Sequence, residues 1–319
     1  MGQWICVLIA LLCMTVKGAC GKKTSGYVTV LGHSFWFNLI RMLFCVLIGL
    51  GLVFAENWQA SLALDGKMLL ICILSGAANA AFLVGWLLAV QKNTMVAVDV
   101  TLTLGSMIPA VLCALLFGEA LSLQKMLGFA LIILASFILS AKKGGTAKEK
   151  SLMGILLLIL ATVGDGLTGF CQQLYRHYYT EGGSLYSGVS YSKSVYHFYT
   201  YVFAALILLL VCALWSVASY RKGSKEMPHE SEGSLLRPIV KALPYIFVMA
   251  VCLFAANYFQ TVAANDYGMS SQLLYPIIKG GCLITVNITA MLFFGEPITK
   301  RSLLGSSVAL AGIVVMNLL

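Results

Sequence analysis

Long apolar runs separated by short polar corners fill this sequence from end to end. A membrane-spanning helix needs about 20 mostly apolar residues. On that basis we predict spans at 2–18, 34–55, 67–90, 94–117, 123–141, 151–173, 190–218, 243–264, 270–294 and 300–318. Most corners are short, and the longest polar one, 219–242, is interpreted as a solvated linker.

Composition supports this interpretation and narrows the class of protein. The chain has 319 residues, 60% of them hydrophobic and 10% charged, with a mean hydropathy of +0.91. No soluble domain has such a composition, and the net charge of +9 comes mainly from the corners, so it does not indicate nucleic-acid binding. Most of the ten cysteines fall inside apolar runs without a C-x-x-C pair. We therefore expect no metal site, no cofactor and no disulfide framework.

An internal repeat organises the chain. Phe117-Gly118-Glu119 is echoed by Phe294-Gly295-Glu296, each at a polar corner between two apolar runs. Ser122 and Thr299 follow the two glutamates by three residues, where a helix N-cap is wanted. We interpret Gly118, Glu119, Gly295 and Glu296 as turn and cap residues; a direct role in substrate binding is the alternative.

The repeat also predicts the architecture. The basic linker 142–150 divides the chain into residues 1–141 and 151–319, each with five predicted spans. Two successive copies of a unit with an odd number of helices must insert with opposite orientation. We therefore predict an all-α polytopic membrane protein with ten transmembrane helices arranged as two inverted five-helix repeats. Secondary transporters commonly have this plan, with the substrate site at the repeat interface near the middle of the membrane.

The two Gly-Glu blocks, with Gly128, Gly305 and Gly312 after them, resemble the EamA-type family of the drug/metabolite transporter superfamily. Asn38-Leu39-Ile40-Arg41 resembles the arginine that this family carries early in its second helix. The resemblance covers essentially the whole chain. It implies a transporter fold and a small metabolite as substrate, and it leaves amino acids, sugars and nucleotide sugars open.

The distribution of basic residues and the family resemblance predict opposite orientations of the chain in the membrane. Of the basic residues in the corners or at the span ends beside them, only Lys67, Lys125, Arg176 and Lys193 belong to even-numbered corners. The positive-inside rule then places the odd-numbered corners in the cytoplasm and both termini outside. The resemblance implies the opposite, with both termini inside.

Placing a polar side chain within an apolar span costs free energy, so such residues are candidates for function. Helical spacing places Asp165 on one stripe with Gly169, Gln172 and Arg176, and Lys279 on another with Gln272, Tyr275 and Cys282. We expect Asp165 and Lys279 to face one central cavity from helices in opposite halves, with an interhelical bond as the alternative for Asp165. The candidate substrate-binding residues are Lys279, Asp165, Tyr275, His197, Tyr201, Asn79, Asn257, Gln260, Trp86 and Asp99.

The tyrosines between 175 and 201 have two interpretations. Tyr175, Tyr178, Tyr179 and Tyr186 are predicted to form an aromatic belt at the membrane interface. His197 and Tyr201 belong to a later face that could bind a ring or a zwitterion.

The leading hypothesis is a secondary transporter of a small polar metabolite, such as an amino acid or related organic anion. A nucleotide-sugar or phosphorylated-sugar antiporter of the same fold is the alternative, and a membrane enzyme is less favoured because the histidines are scattered. No Gly-Lys-Ser nucleotide motif occurs, so we expect no ATP-driven step in this chain. The expected partners are a small-molecule substrate, the lipid bilayer of the cell membrane, and a proton or counter-substrate. We expect no nucleic acid, and a monomer or homodimer.

Overall fold

The computed structural model describes residues 1–27, 31–56, 62–92, 98, 102–119, 122–140, 152–181, 183–186, 188–221, 236–294 and 300–317. Within these ranges the regular structure is helical, with one short 3₁₀ turn at Ser25–Tyr27. We number the helices α1 Gly2–Thr24, α2 Leu31–Glu56, α3 Gly66–Lys92, α4 Met107–Phe117, α5 Leu123–Ser140, α6 Leu152–Tyr179, α7 Lys193–Arg221, α8 Leu236–Asn265, α9 Ser271–Phe294 and α10 Lys300–Asn317.

Seven of the described helices are long and apolar enough to cross a membrane. These are Gly2–Thr24, Gly32–Glu56, Gly66–Val90, Gly154–Tyr179, Lys193–Ala218, Ile239–Asn265 and Ser271–Phe293. Three shorter apolar helices accompany them at Leu102–Phe117, Leu123–Ile138 and Leu303–Met316. Helices suit lipid because every backbone group in the middle of the helix has a partner within the same segment. The protein is therefore an all-α membrane protein.

Three helices extend beyond the predicted spans by six residues or more. Helix α1 continues to Thr24 and α6 to Tyr179, and α8 begins at Leu236. The solvated-linker interpretation of 219–242 is thus wrong from Leu236 onward. Ile239 and Ala242 are buried there and continue the apolar face of α8 across its internal Pro244.

Small residues set the closest helix contacts. Helix α3 packs along α6 and α7, α1 along α8, α2 along α7, and α5 along α10. A Cβ on Gly85 of α3 would lie 2.8 Å from the backbone of Ala161 in α6, and one on Gly164 of α6 would lie 2.6 Å from the backbone nitrogen of Phe82 in α3. Each helix therefore supplies a glycine where the other backbone approaches, as is common between membrane helices.

One end of the bundle carries a set of polar contacts between helix ends, which we call the polar face. It contains Glu56, Asp65, Glu119, Tyr179, Ser194 and Asp266 with their partners. The hydroxyls of Ser194 and Tyr258 donate to Glu56 Oε1 at 2.5 and 2.9 Å. The Tyr179 hydroxyl lies 2.7 and 2.9 Å from the two oxygens of Asp65. These contacts tie α2, α3, α6, α7 and α8 together at this end.

The aromatic-belt prediction is wrong for two of its four tyrosines. Tyr175 and Tyr179 are buried, and the Tyr175 hydroxyl donates to the backbone oxygen of Tyr191 at 2.6 Å. Tyr175 also stacks on Tyr196, with ring centroids 4.6 Å apart. These rings pack α6 against α7 at the polar face and do not lie along a lipid interface.

Candidate functional site

An ion pair between Asp165 and Lys279 lies in the interior of the helix bundle. Asp165 is halfway along α6, and Lys279 is about two turns into α9. Lys279 Nζ lies 2.8 Å from Asp165 Oδ1 and 2.7 Å from Oδ2, with the two side chains 14% and 10% exposed. The structure thus brings together the two charges that the helical stripes placed on facing sides. Both helices belong to residues 151–319, so the expectation that the two charges come from opposite halves of the chain is wrong.

A first cavity lies on one side of this pair. Its lining residues are Met14, Lys17, Gly18, Trp86, Leu102, Lys279, Cys282 and Val286. They come from α1, α3, α9 and the helical turn before α4, so both halves of the chain contribute. The centre of a water molecule could occupy about 30 Å³ of this cavity. That is room for one or two waters.

A second cavity lies on the other side and shares Met14 and Lys279 with the first. It is lined by Met14, Gly105, Ser106, Pro109, Asp165, Gly166, Thr168, Gly169, Asn257, Gln260, Tyr275 and Lys279. Its volume by the same measure is about 20 Å³. The predicted residues Asn257, Gln260 and Tyr275 therefore reach the cavity that contains the ion pair, and Trp86 lines the first cavity.

Tyr275, on the polar stripe of α9, bonds to the stripe of α6 that contains Asp165, Gly169 and Gln172. Its hydroxyl lies 2.7 Å from the backbone oxygen of Gly169 and 3.0 Å from Gln172 Oε1. The absence of a side chain at Gly169 makes the approach possible, because a Cβ there would lie 3.0 Å from the tyrosine ring. The α6 stripe that runs from Asp165 to Gln172 thus faces α9, as its spacing predicted.

Three other predicted residues do not line either cavity. His197 is buried among aromatic rings, and its Nε2 lies 3.0 Å from the Thr261 hydroxyl. Tyr201 accepts a hydrogen bond from Asn257 Nδ2 at 2.9 Å. Asn79 donates to the backbone oxygen of Ser75 at 3.1 Å. His197 and Tyr201 thus have partners on the neighbouring helix α8, whereas Asn79 bonds within its own helix α3. The predicted contact of these three residues with substrate stays untested.

The Glu119 corner clamps three helices at the polar face. Gly118 ends α4 in the left-handed region, with φ of 66°. Glu119 Oε2 accepts a hydrogen bond from the Ser271 hydroxyl at 2.7 Å, and Glu119 Oε1 lies 3.5 Å from His177 Nε2 and 3.9 Å from Arg176 Nη1. The hydroxyl of Ser122 accepts a bond from the Lys125 backbone N–H at 3.3 Å.

These contacts also set the acidity of Glu119. Burial works to raise the pKa of its carboxyl. Hydrogen bonds from His177 and Ser271, together with the charge of Arg176, outweigh burial and hold the pKa below its ordinary value. A carboxylate tied to α6 and α9 in this way supports the structural interpretation of the corner. Gly295, Glu296 and Asp99 lie outside the described residues.

Two buried cations beside the first cavity are not among the predicted site residues. Lys17 is the second-last residue of the predicted span 2–18 and was grouped with the basic corner after it, but α1 continues for nearly two more turns. Arg41 entered only through the family resemblance. A search for any basic residue at least one turn inside an apolar run would have found both.

Comparison with known proteins supports the fold and gives no function. No family model matches the chain, and no curated protein matches it. A solved structure described only as the crystal structure of a protein is similar to this chain, with a TM-score of 0.66 at 12% identity. The match covers 98% of this chain and 96% of that one. At this identity the likeness shows a shared fold alone.

Proposed function

We propose that this protein is a secondary transporter that moves a small polar metabolite, such as an amino acid or related organic anion, across a cell membrane by alternating access. The observation that carries the proposal is the Asp165–Lys279 pair between two small cavities in the bundle. Ionisable residues inside membrane spans are rare and commonly mark substrate or ion pathways. A protein with only a scaffolding role has no need to keep two charges there.

The pattern of helix contacts supports an inverted-repeat arrangement. If each helix is exchanged for the helix five places further along the chain, counting α1 after α10, the contact of α3 with α6 becomes the contact of α8 with α1. The same exchange converts α3 with α7 into α8 with α2, and α6 with α4 into α1 with α9; all of these contacts are present. The pairs α2 with α7 and α5 with α10 convert into themselves. The α9–α10 contact has no counterpart of similar extent between the described parts of α4 and α5.

The cavities support alternating access over a channel. They hold one or two waters each, which is too little for a metabolite. The polar face closes one end with hydrogen bonds and ion pairs between helix ends. A substrate could enter only if helices move apart, and the hydrogen bonds of the polar face are contacts that such a movement would break.

One observation favours the alternative substrate class of phosphorylated or nucleotide-linked sugars. Lys17 and Lys279 line the same cavity, and a phosphate group is a suitable partner for two lysines. Membership of the EamA-type family, suggested by the repeated Gly-Glu corners, remains part of this proposal.

Counterflow in liposomes tests the transport function. Purified full-length protein would be reconstituted with one unlabelled metabolite pool inside, and uptake of labelled amino acids, organic acids and sugar phosphates would be followed. We expect saturable uptake of at least one compound, with loss of uptake in Asp165→Asn and normal uptake in Lys23→Met. Lys23 is the matched control because it lies on α1, is exposed, and has its ammonium group over the ring of Tyr245 instead of in either cavity. Uptake that is equal in empty liposomes would refute the proposal.

A further inference from the structure

Two buried cations have no role in the ion pair described above. Lys17 on α1 is 4% exposed, and Arg41 on α2 is fully buried. Within the part of the chain that the structure describes, none of the three guanidinium nitrogens of Arg41 has a hydrogen-bond partner. Among the described residues, Lys17 forms no ion pair with a carboxylate. Both side chains contact the ring of Trp86, with Lys17 Nζ 5.4 Å and Arg41 Cζ 5.8 Å from its centroid.

Helix packing holds Lys17 at the cavity. Its ammonium group also lies 4.8 Å from the centre of the Phe82 ring. Gly21, one turn further along α1, lets Trp86 lie directly against the helix, because a Cβ there would be 2.2 Å from the ring. The lysine is thus wedged between two aromatic rings and borders the first cavity. A solvated lysine at a helix end would not be enclosed in this way.

The charges around the first cavity do not balance. Lys17 and Lys279 both line it, and the described residues of its lining include no carboxylate. Asp165 neutralises one cation, and Lys17 lies within electrostatic range of Lys279, Arg41 and Asp165. Among the side chains that the structure describes here, two positive charges are left over. Aromatic rings offset part of the cost of burying a cation, and a buried charge without an anion remains unfavourable.

We propose that the first cavity, widened when helices move apart as in the transport cycle proposed above, is a binding site for an organic anion with two negative charges, whose anionic group lies between Lys17 and Lys279. Arg41 adds its charge through the Trp86 contact, and the bound anion competes with Asp165 for Lys279. This inference rests on the proposed transport function and narrows its substrate class. The leftover charge repels the ammonium group of a zwitterion, so the site disfavours neutral amino acids. Two negative charges neutralise the cavity, and one does not.

Binding to the purified full-length protein tests the charge requirement. The probes are malonate and glycerol 3-phosphate as two kinds of dianion, with lactate, glycerol and choline as monoanion, neutral and cationic controls at matched ionic strength. We expect saturable thermal stabilisation by a dianion, with lactate at least about tenfold weaker, since a hydrogen bond between charged groups commonly accounts for a factor of that size. The two dianions distinguish dicarboxylates from phosphate esters.

Three variants test whether the stabilisation by a dianion arises at the first cavity. Lys17→Met should weaken dianion binding by about tenfold or more. Lys17→Arg keeps the charge and should retain binding within a few-fold, and it also shows that the position tolerates replacement. Lys23→Met, on the same helix but outside the cavity, should bind as the wild type does.

The outcomes separate this inference from the transport proposal. Equal stabilisation by lactate or glycerol, absence of stabilisation by both dianions, or the same affinity in Lys17→Met and Lys23→Met would overturn the dianion site. Counterflow of a neutral or zwitterionic metabolite would do the same, and would leave the transporter function standing. Dianion binding that depends on Lys17, without counterflow of any compound, would refute transport and retain the site.

Discussion

Replacing Lys279 by methionine removes the cation that lies within hydrogen-bond distance of both oxygens of Asp165. Breaking a buried pair by deleting one partner costs about 3–5 kcal/mol, because the other charge stays buried without compensation. The two side chains are 14% and 10% exposed, so a little water reaches them. We therefore expect a loss of about 3 kcal/mol in the free energy of unfolding for Lys279→Met.

A double-mutant cycle isolates this interaction. The double variant Lys279→Met with Asp165→Asn removes both charges, and it should be more stable than the sum of the single changes predicts by at least about 2 kcal/mol. Lys193 and Asp266 provide the matched control, since their shortest contact is 2.8 Å, close to the 2.7 Å of Asp165–Lys279, but their side chains are 26% and 43% exposed. Solvent screening should keep their coupling below about 1 kcal/mol.

The assay is chemical unfolding of the purified variants in detergent at pH 7.5. If the coupling at Asp165–Lys279 is no larger than at Lys193–Asp266, the pair is not desolvated as the structure indicates. The argument for a charged site in the bundle would then fail.

Three further predictions concern stability and orientation. Glu119→Gln should lower the free energy of unfolding by about 2 kcal/mol at pH 7, the scale of hydrogen bonds to a charged group. Because the pKa of Glu119 is lowered in the folded state, this difference should shrink as pH falls below about 4.5 toward the folded pKa, which unfolding at several pH values would measure. Gly128→Val should lower stability by about 1–3 kcal/mol, because a Cβ there would lie 2.3 Å from Met316 Cγ in α10. Gly154→Ala, with nothing within 4 Å of the added atom, is its control. A phosphatase fused after Leu319 should be active on the non-cytoplasmic side, as the basic corners predict.

Each of these has a clear contrary result. A pH-independent effect of Glu119→Gln would show that the carboxylate charge does not matter at the polar face. Equal stability of Gly128→Val and Gly154→Ala would show that α5 and α10 do not approach closely. A cytoplasmic C-terminus would refute the charge argument and favour the orientation that the family resemblance implies.

The sequence by itself determined the all-helical membrane class and nearly all helix positions. Apolar runs of sufficient length can bury their backbone only as helices in lipid, so composition and run length were enough. Helical spacing also determined which face of α6 carries Asp165 and which face of α9 carries Lys279, because the positions three and four apart share a side. Both faces meet in the structure.

Tertiary structure alone decided which polar residues share a cavity. His197 and Asn257 are both buried polar residues in apolar helices, yet His197 packs among aromatic rings and Asn257 lines the second cavity. Run length could not reveal that α1 continues past Lys17, since a lysine ends an apolar run without ending a helix. The placement of Lys17 and Arg41 on Trp86 depends on how α1, α2 and α3 pack. That packing is set by contacts between residues far apart in the chain, and no local pattern contains it.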